Sequence, residues 1–105
     1  MVVVNQYQVE VRGDAGADNV RARILLIGEG GNRSALGRIH FHDTGTQLPG
    51  DSFENNVVDM HVPMDAFAGI LALLQHDKPI KIGFHNGFGV LRTGEWEPVG
   101  EGQER

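Results

Sequence analysis

The strongest constraint on this sequence is that only one segment has helical spacing, while the other patterned segments alternate like strands. The helical segment begins near Pro63, a residue that a helix tolerates in its first turn, and is expected to end near residues 75–76, before Lys78-Pro79. Four apolar residues recur there at intervals of three and four, which predicts a stripe that must be buried against something else. The stripe consists of Phe67, Ile70, Leu71 and Leu74.

Before the helix, four segments show the alternation of half-buried β-strands. In the first, Val9 and Val11 share one side, while Gln8 and Glu10 share the other. Clusters of Gly, Asp, Asn and Ser separate the segments, and a longer loop over residues 44–56 precedes the last of them. The predicted strands are residues 2–12, 20–27, 35–43 and 57–62.

After the helix, the sequence predicts a β-hairpin. Asn86-Gly87 tolerates the positive φ angles of a two-residue type I′ turn, and apolar runs flank it on both sides. This turn pairs Phe84 with Gly89, and we expect the Phe84 ring to cover the bare backbone of that glycine.

The order β-β-β-β-α-β-β therefore predicts an α+β fold. We expect a mostly antiparallel sheet of five to six strands, with one amphipathic helix packed on one face and without a crossover that requires parallel strands. At 105 residues the chain has the size of one domain. We assign residues 1–99 to this domain and residues 100–105 to an acidic, frayed tail.

Composition excludes several kinds of function. The chain has no cysteine, which excludes a disulfide framework, a thiolate metal site and a cysteine nucleophile. Its apolar start is too short for a signal peptide or a membrane span, so we expect a cytoplasmic protein without a membrane partner. The net charge of -5 argues against general nucleic-acid binding, although four of the fourteen acidic residues lie in residues 95–105.

Strand alternation places many basic residues on the sheet face opposite the helix. Arginine suits the geometry of phosphate and carboxylate, so this face is a candidate site for an anionic ligand. An ordinary solvated face explains the same residues, because any half-buried sheet needs polar outer positions. The candidate ligand-binding residues are Arg21, Arg23, Arg38, His40, His42, His61, Lys81 and Arg92.

Three of these histidines also form a candidate metal site. His40 and His42 are two apart on one predicted strand, so they point the same way, and His61 on the next strand can supply a third ligand. Three imidazoles with an open position suit catalytic zinc, which makes a small histidine-cluster enzyme the alternative hypothesis. The spacing is also common in surface histidine pairs, and we expect no cofactor.

We therefore favour a non-catalytic binding or assembly module. Leu25 and Ile27 share the face of Arg21 and Arg23, which favours a homo-oligomer. An anionic small molecule is the other partner considered. Single-stranded nucleic acid is less favoured, because Phe88 and Trp96 are the only aromatic residues that we expect to be available for stacking.

Overall fold

In a computed structural model, residues 2–28 and 35–94 form one helix packed with two β-sheets. The predicted turn at residues 29–34 and the predicted tail at residues 100–105 lie outside these described residues. Within them, no helix is long and apolar enough to span a membrane. The elements are β1 (Val2–Val4), β2 (Gln6–Val11), β3 (Val20–Ile27), β4 (Ala35–His42), β5 (Ser52–Glu54), β6 (Val57–Pro63), a 3-10 helix (Met64–Ala66), α1 (Phe67–His76), β7 (Ile80–His85) and β8 (Phe88–Thr93).

The α+β class agrees with the prediction, but the number of sheets does not. The chain builds a three-stranded sheet in the order β1-β7-β8 and a five-stranded sheet in the order β2-β3-β4-β6-β5. The predicted first strand is divided at Asn5, whose amide donates to the carbonyl of Ile27 at 2.9 Å. On one side of Asn5 the chain pairs with β7, and on the other side it pairs with β3. One continuous alternating segment therefore serves both sheets.

The expectation of no parallel pairing was wrong for one pair of strands. β4 and β6 pair in parallel, with His40 opposite His61. The loop after β4 contains β5, which pairs with the outer side of β6 through a turn at Asn55 and Asn56, both with positive φ. This detour returns the chain to the starting end of β4 before β6 begins, and parallel pairing requires that return.

The core lies between the two sheets and α1. Alternate residues of the central strands point into it, and Ile24, Ile39 and Phe41 are fully buried there. Gly37 of β4 lies directly under Ile82 of β7, where a Cβ atom would collide with the isoleucine side chain. The absence of a side chain at Gly37 allows the two sheets to approach closely.

The helix closes part of this core but is only half-buried itself. Phe67 packs edge-on against Phe41 at 5.0 Å between ring centroids, and Ile70 and Leu74 also pack against the core. α1 ends at His76, as predicted, but Pro63 is not in its first turn. Pro63 is extended and ends β6, and the 3-10 helix separates it from α1.

The β7-β8 hairpin has the predicted register, including Phe84 opposite Gly89. The covering of Gly89 differs from the expectation. Met60 and Val58 occupy the space where a side chain at Gly89 would lie, while Phe84 stacks with Phe53 of β5 at 5.9 Å between centroids. The glycine therefore accommodates contact between the sheets.

Candidate functional site

The outer face of the five-stranded sheet carries a polar network. Its register places Arg23 of β3 beside His40 of β4, and His40 beside His61 of β6. Side chains of adjacent strands in such positions share a face, so strand pairing brings together residues that are far apart in the sequence. We call this set the polar face, and it comprises Glu10, Arg23, Arg38, His40, Asp59 and His61.

Asp59 is the centre of the polar face. Arg38 donates to both of its carboxylate oxygens, at 2.8 and 2.9 Å, and Nε2 of His40 lies 2.7 Å from Oδ1. Burial alone would raise the pKa of Asp59, but the hydrogen bonds from Arg38 and His40 outweigh it and leave the pKa below its ordinary value. Asp59 is therefore a carboxylate with both oxygens already occupied.

His40 is held as a neutral imidazole with a defined tautomer. The carboxylate of Asp59 can only accept, so Nε2 carries the proton, and Nδ1 then accepts from Nε of Arg23 at 3.2 Å. Burial lowers the pKa of His40, and the charges of Arg23 and Arg38 lower it further against the opposing effect of Asp59. Protonation at Nδ1 would place a second donor against Arg23, so the network opposes it.

His61 connects the polar face to a buried histidine. Its ring stacks on His40 at 4.7 Å with an interplanar angle of 13°, and its Nδ1 lies 2.9 Å from Nε2 of His42. Burial lowers the pKa of His61, and the neighbouring His40 and His42 lower it further. His42 is only 2% exposed, and its Nδ1 has no hydrogen-bond partner among residues 2–28 and 35–94.

The buried nitrogen of His42 indicates how the proton is placed in this pair. If His61 donated to His42, Nδ1 of a neutral His42 would be a buried donor without a partner. If His42 donates from Nε2, Nδ1 keeps only a lone pair and no N–H group is left unsatisfied. We therefore assign the proton to Nε2 of His42, which leaves Nε2 of His61 protonated.

Asp51 positions His61 through the backbone. One carboxylate oxygen accepts from the His61 amide at 2.8 Å, and the other accepts from the Gly89 amide of β8 at 2.9 Å. The same carboxylate thus connects β6 of one sheet to β8 of the other. The sequence contains no pattern that distinguishes Asp51 from other loop aspartates, because its partners are main-chain groups from distant strands.

The structure does not bring all eight predicted residues together. Arg21 lies at an irregularity in the β3-β4 pairing and makes a bidentate ion pair with Asp43, at 3.0 and 3.2 Å. Lys81 and Arg92 are opposite each other in the three-stranded sheet. Because Ile80 and Ile82 point into the core, Lys81 faces away from it, on the far side of the molecule from the polar face.

Internal partners balance the positive charge of the polar face. Arg38 pairs with Asp59, and Arg23 lies 3.4 Å from Glu10. The two arginines of the polar face thus already have carboxylate partners. An incoming anion would have to compete with these ion pairs.

The three histidines do not converge on one point. Both nitrogens of His40 are engaged, and the facing nitrogens of His42 and His61 contact each other. Within residues 2–28 and 35–94, no group of three or more histidine, aspartate and glutamate side chains has the geometry to hold a metal ion. The proposed zinc ligands therefore lie together without forming a coordination sphere in this arrangement.

A second feature lies at the edge of the same sheet. All six residues of β2 are exposed, and β2 is the terminal strand next to β3. Tyr7, Val9 and Val11 are 36, 37 and 63% exposed, although they share the face on which β3 is fully buried. The second layer of the protein covers β3 and stops short of β2.

Comparisons with known proteins identify no relative. No family model matches the chain, and no curated protein or solved structure is significantly similar to it. The fold and the site define the class only as a small α+β protein with two sheets.

Proposed function

We propose that this protein is a non-catalytic assembly module that forms a homodimer through the open edge of β2. The observation that carries the proposal is that a six-residue strand with an exposed apolar row ends the five-stranded sheet. Proteins usually protect such edges with proline, lysine or a bulge, because an open edge pairs with other strands. Residues 6–11 contain neither proline nor lysine.

The ladder with β3 shows which backbone groups are available. The backbone amide of Arg12 donates to the carbonyl of Arg21. Glu10 and Gln8, at alternate positions, therefore also direct their backbone groups toward β3. The backbone amides and carbonyls of the intervening Val9 and Val11 then point to the open edge. A second strand can bond to these groups without disturbing the existing sheet.

The sequence of β2 is compatible with pairing to a second copy of itself. An antiparallel pair centred on Val9 places Glu10 opposite Gln8 of the second copy and avoids two glutamates facing each other. In this register Tyr7 packs beside Val11 of the second copy, and about six backbone hydrogen bonds form. The two apolar rows then lie side by side on one face of the joined sheet.

The polar face supports the other hypotheses less well. An anionic ligand would have to displace Asp59 from Arg38 or Glu10 from Arg23. Catalysis by His40 would require a ring nitrogen free to exchange protons, whereas His40 uses both of its nitrogens within the network. A cytoplasmic location and the absence of a cofactor remain part of this proposal as predictions from the sequence.

Val9→Pro tests the dimer directly. It removes an amide that points to the open edge, so the monomer keeps its ladder with β3 while the pairing loses its central hydrogen bonds. We expect wild-type protein to sediment as a dimer at high micromolar concentration, and Val9→Pro to sediment as a folded monomer. Val9→Thr is the matched control, because it keeps the amide and the β-branched shape, and we expect it to dimerise.

The register has its own test. Gln8→Lys places a lysine opposite Glu10 of the second copy at two symmetric positions, so we expect tighter dimerisation that weakens with added salt. A wild-type protein that sediments as a monomer at high micromolar concentration would reject the proposal. A dimer that tolerates Val9→Pro would place the interface elsewhere.

A further inference from the structure

A cavity of about 340 Å³ opens between the two sheets, and its lining includes no residue of the polar face or of β2. Both layers contribute walls, with Phe53 and Val58 from the five-stranded sheet and Ile82 and Phe84 from the three-stranded sheet. Among residues 2–28 and 35–94, the lining consists of Val2, Leu36, Phe53, Asn56, Val58, Ile82, Gly83 and Phe84.

The lining side chains are apolar except for one asparagine. None of these lining side chains is charged, and Asn56 is the only one that can form hydrogen bonds. Asn56 is held in the β5-β6 turn with φ of 64°, a conformation that asparagine tolerates better than most residues. The cavity therefore offers an apolar surface with one side-chain amide at its border.

Two large apolar side chains at the cavity remain in contact with water. Phe53 is 51% exposed and Val2 is 54% exposed, and Phe53 keeps one ring face against Phe84. Filling the cavity with an apolar molecule would remove this surface from water, and that burial favours binding.

We propose that this cavity binds an uncharged aromatic or aliphatic small molecule carrying one hydrogen-bonding group. Its volume falls in the lower part of the range of about 300–1,000 Å³ that is typical of ligand sites, and it is about twice the size of a cavity that holds benzene. The ligand has two ring systems or an equivalent chain. Its polar group bonds the side chain of Asn56.

Two dyes that differ by one charge test the ligand class. N-phenyl-1-naphthylamine is uncharged, has two ring systems and carries one N–H group, while 8-anilino-1-naphthalenesulfonate adds a sulfonate to the same skeleton. We expect the uncharged dye to bind saturably at one molecule per chain with enhanced fluorescence. We expect the sulfonate to bind at least about tenfold more weakly, because no cationic side chain among residues 2–28 and 35–94 lines the cavity.

Two exposed phenylalanines provide the matched variants. Phe53→Ser removes one wall of the cavity, and we expect it to weaken binding of the uncharged dye about tenfold. Phe88→Ser changes a residue of similar exposure, 57%, that does not line the cavity, and we expect affinity within about twofold of wild type. Circular dichroism and thermal unfolding of both variants establish that they are folded.

A second pair of variants keeps the test decisive if Phe53→Ser fails to fold. Val2→Asp places a charge at the cavity, and Val3→Asp places the same charge at the adjacent position of β1, outside the lining. We expect only Val2→Asp to abolish dye binding. The absence of saturable binding by wild type, equal binding of the two dyes, or equal effects of the variants within a folded pair would overturn the proposal.

Discussion

The centre and the β2 edge of the five-stranded sheet carry the same kinds of residue but differ in burial and in polar contacts. Ile24 of β3 is fully buried, whereas its cross-strand neighbour Val9 of β2 is 37% exposed on the same face. On the other face, Asp59 has partners for both carboxylate oxygens, while Glu10 makes one long ion pair at 3.4 Å. The difference shows that an alternating strand is buried only where the second layer covers it. Beyond that layer, the same alternation leaves the apolar side chains exposed.

We expect the largest difference in stability between alanine substitutions at Ile24 and Val9, which are opposite each other on β3 and β2. We expect Ile24→Ala to reduce the free energy of unfolding by about 2–5 kcal/mol, because it leaves a cavity in a packed core. We expect Val9→Ala to cost the monomer less than about 1 kcal/mol, since the site is already partly hydrated. Urea denaturation at low protein concentration measures both values, and equal losses would show that β2 is covered in solution.

Removal of the Asp59 carboxylate should reduce the free energy of unfolding by less than Ile24→Ala does. Asp59→Ala leaves Nε2 of His40 and the guanidinium of Arg38 without their acceptor, and we expect a loss of about 1–3 kcal/mol. Glu10→Ala removes an exposed partner of Arg23 and should cost less than about 0.5 kcal/mol. If the two variants were equally stable, Asp59 would not be the centre of the network.

The helix provides an intermediate case, because its apolar stripe is only half-buried. Sequence spacing placed Leu71 and Leu74 in the same apolar stripe, but of these two only Leu74 packs against the buried core cluster. We expect Leu74→Ala to cost about 1–2 kcal/mol and Leu71→Ala to cost less than about 1 kcal/mol. Thermal and chemical denaturation of the two variants would contradict this ranking if Leu71→Ala were the more damaging.

Because of His40 and His61, we expect the free energy of unfolding to depend on pH, with a smaller effect than the substitutions above. The pKa values of His40 and His61 lie below the ordinary value of 6.5, chiefly because burial disfavours the charged form. As the pH falls below 6.5, the unfolded chain therefore binds more protons than the folded chain. The stability that the neutral histidines contribute is present above pH 6.5 and is lost as the pH falls through their folded pKa values. We expect a falling free energy of unfolding from pH 6.5 toward pH 5.

His61→Phe separates this contribution from other effects of acid. Phenylalanine can keep the stack on His40 but cannot titrate, so we expect a shallower dependence on pH in the same range. Urea denaturation at several pH values measures the slope. An unchanged slope in His61→Phe would mean that the titration of His61 does not contribute.

Part of the candidate site was accessible from the sequence. Strand alternation correctly placed Arg23, Arg38 and His40 on one face of the sheet, where His40 contacts both Arg23 and His61. Which oxygen atoms each of these side chains contacts was not accessible, because the register of β4 against β6 depends on their parallel pairing across an intervening loop. Phe53 was assigned to a loop, since β5 is only three residues long and too short for a recognisable alternation.

The sequence by itself determined the strand segments other than β5, the position of the helix and the register of the Asn86-Gly87 hairpin, because these features depend on local spacing and turn chemistry. The tertiary structure decided that Asn5 divides one alternating segment between two sheets and that β6 joins β4 in parallel. It also decided that the second layer ends before β2. These outcomes depend on how far each layer extends over the other, a long-range packing property that no local pattern encodes.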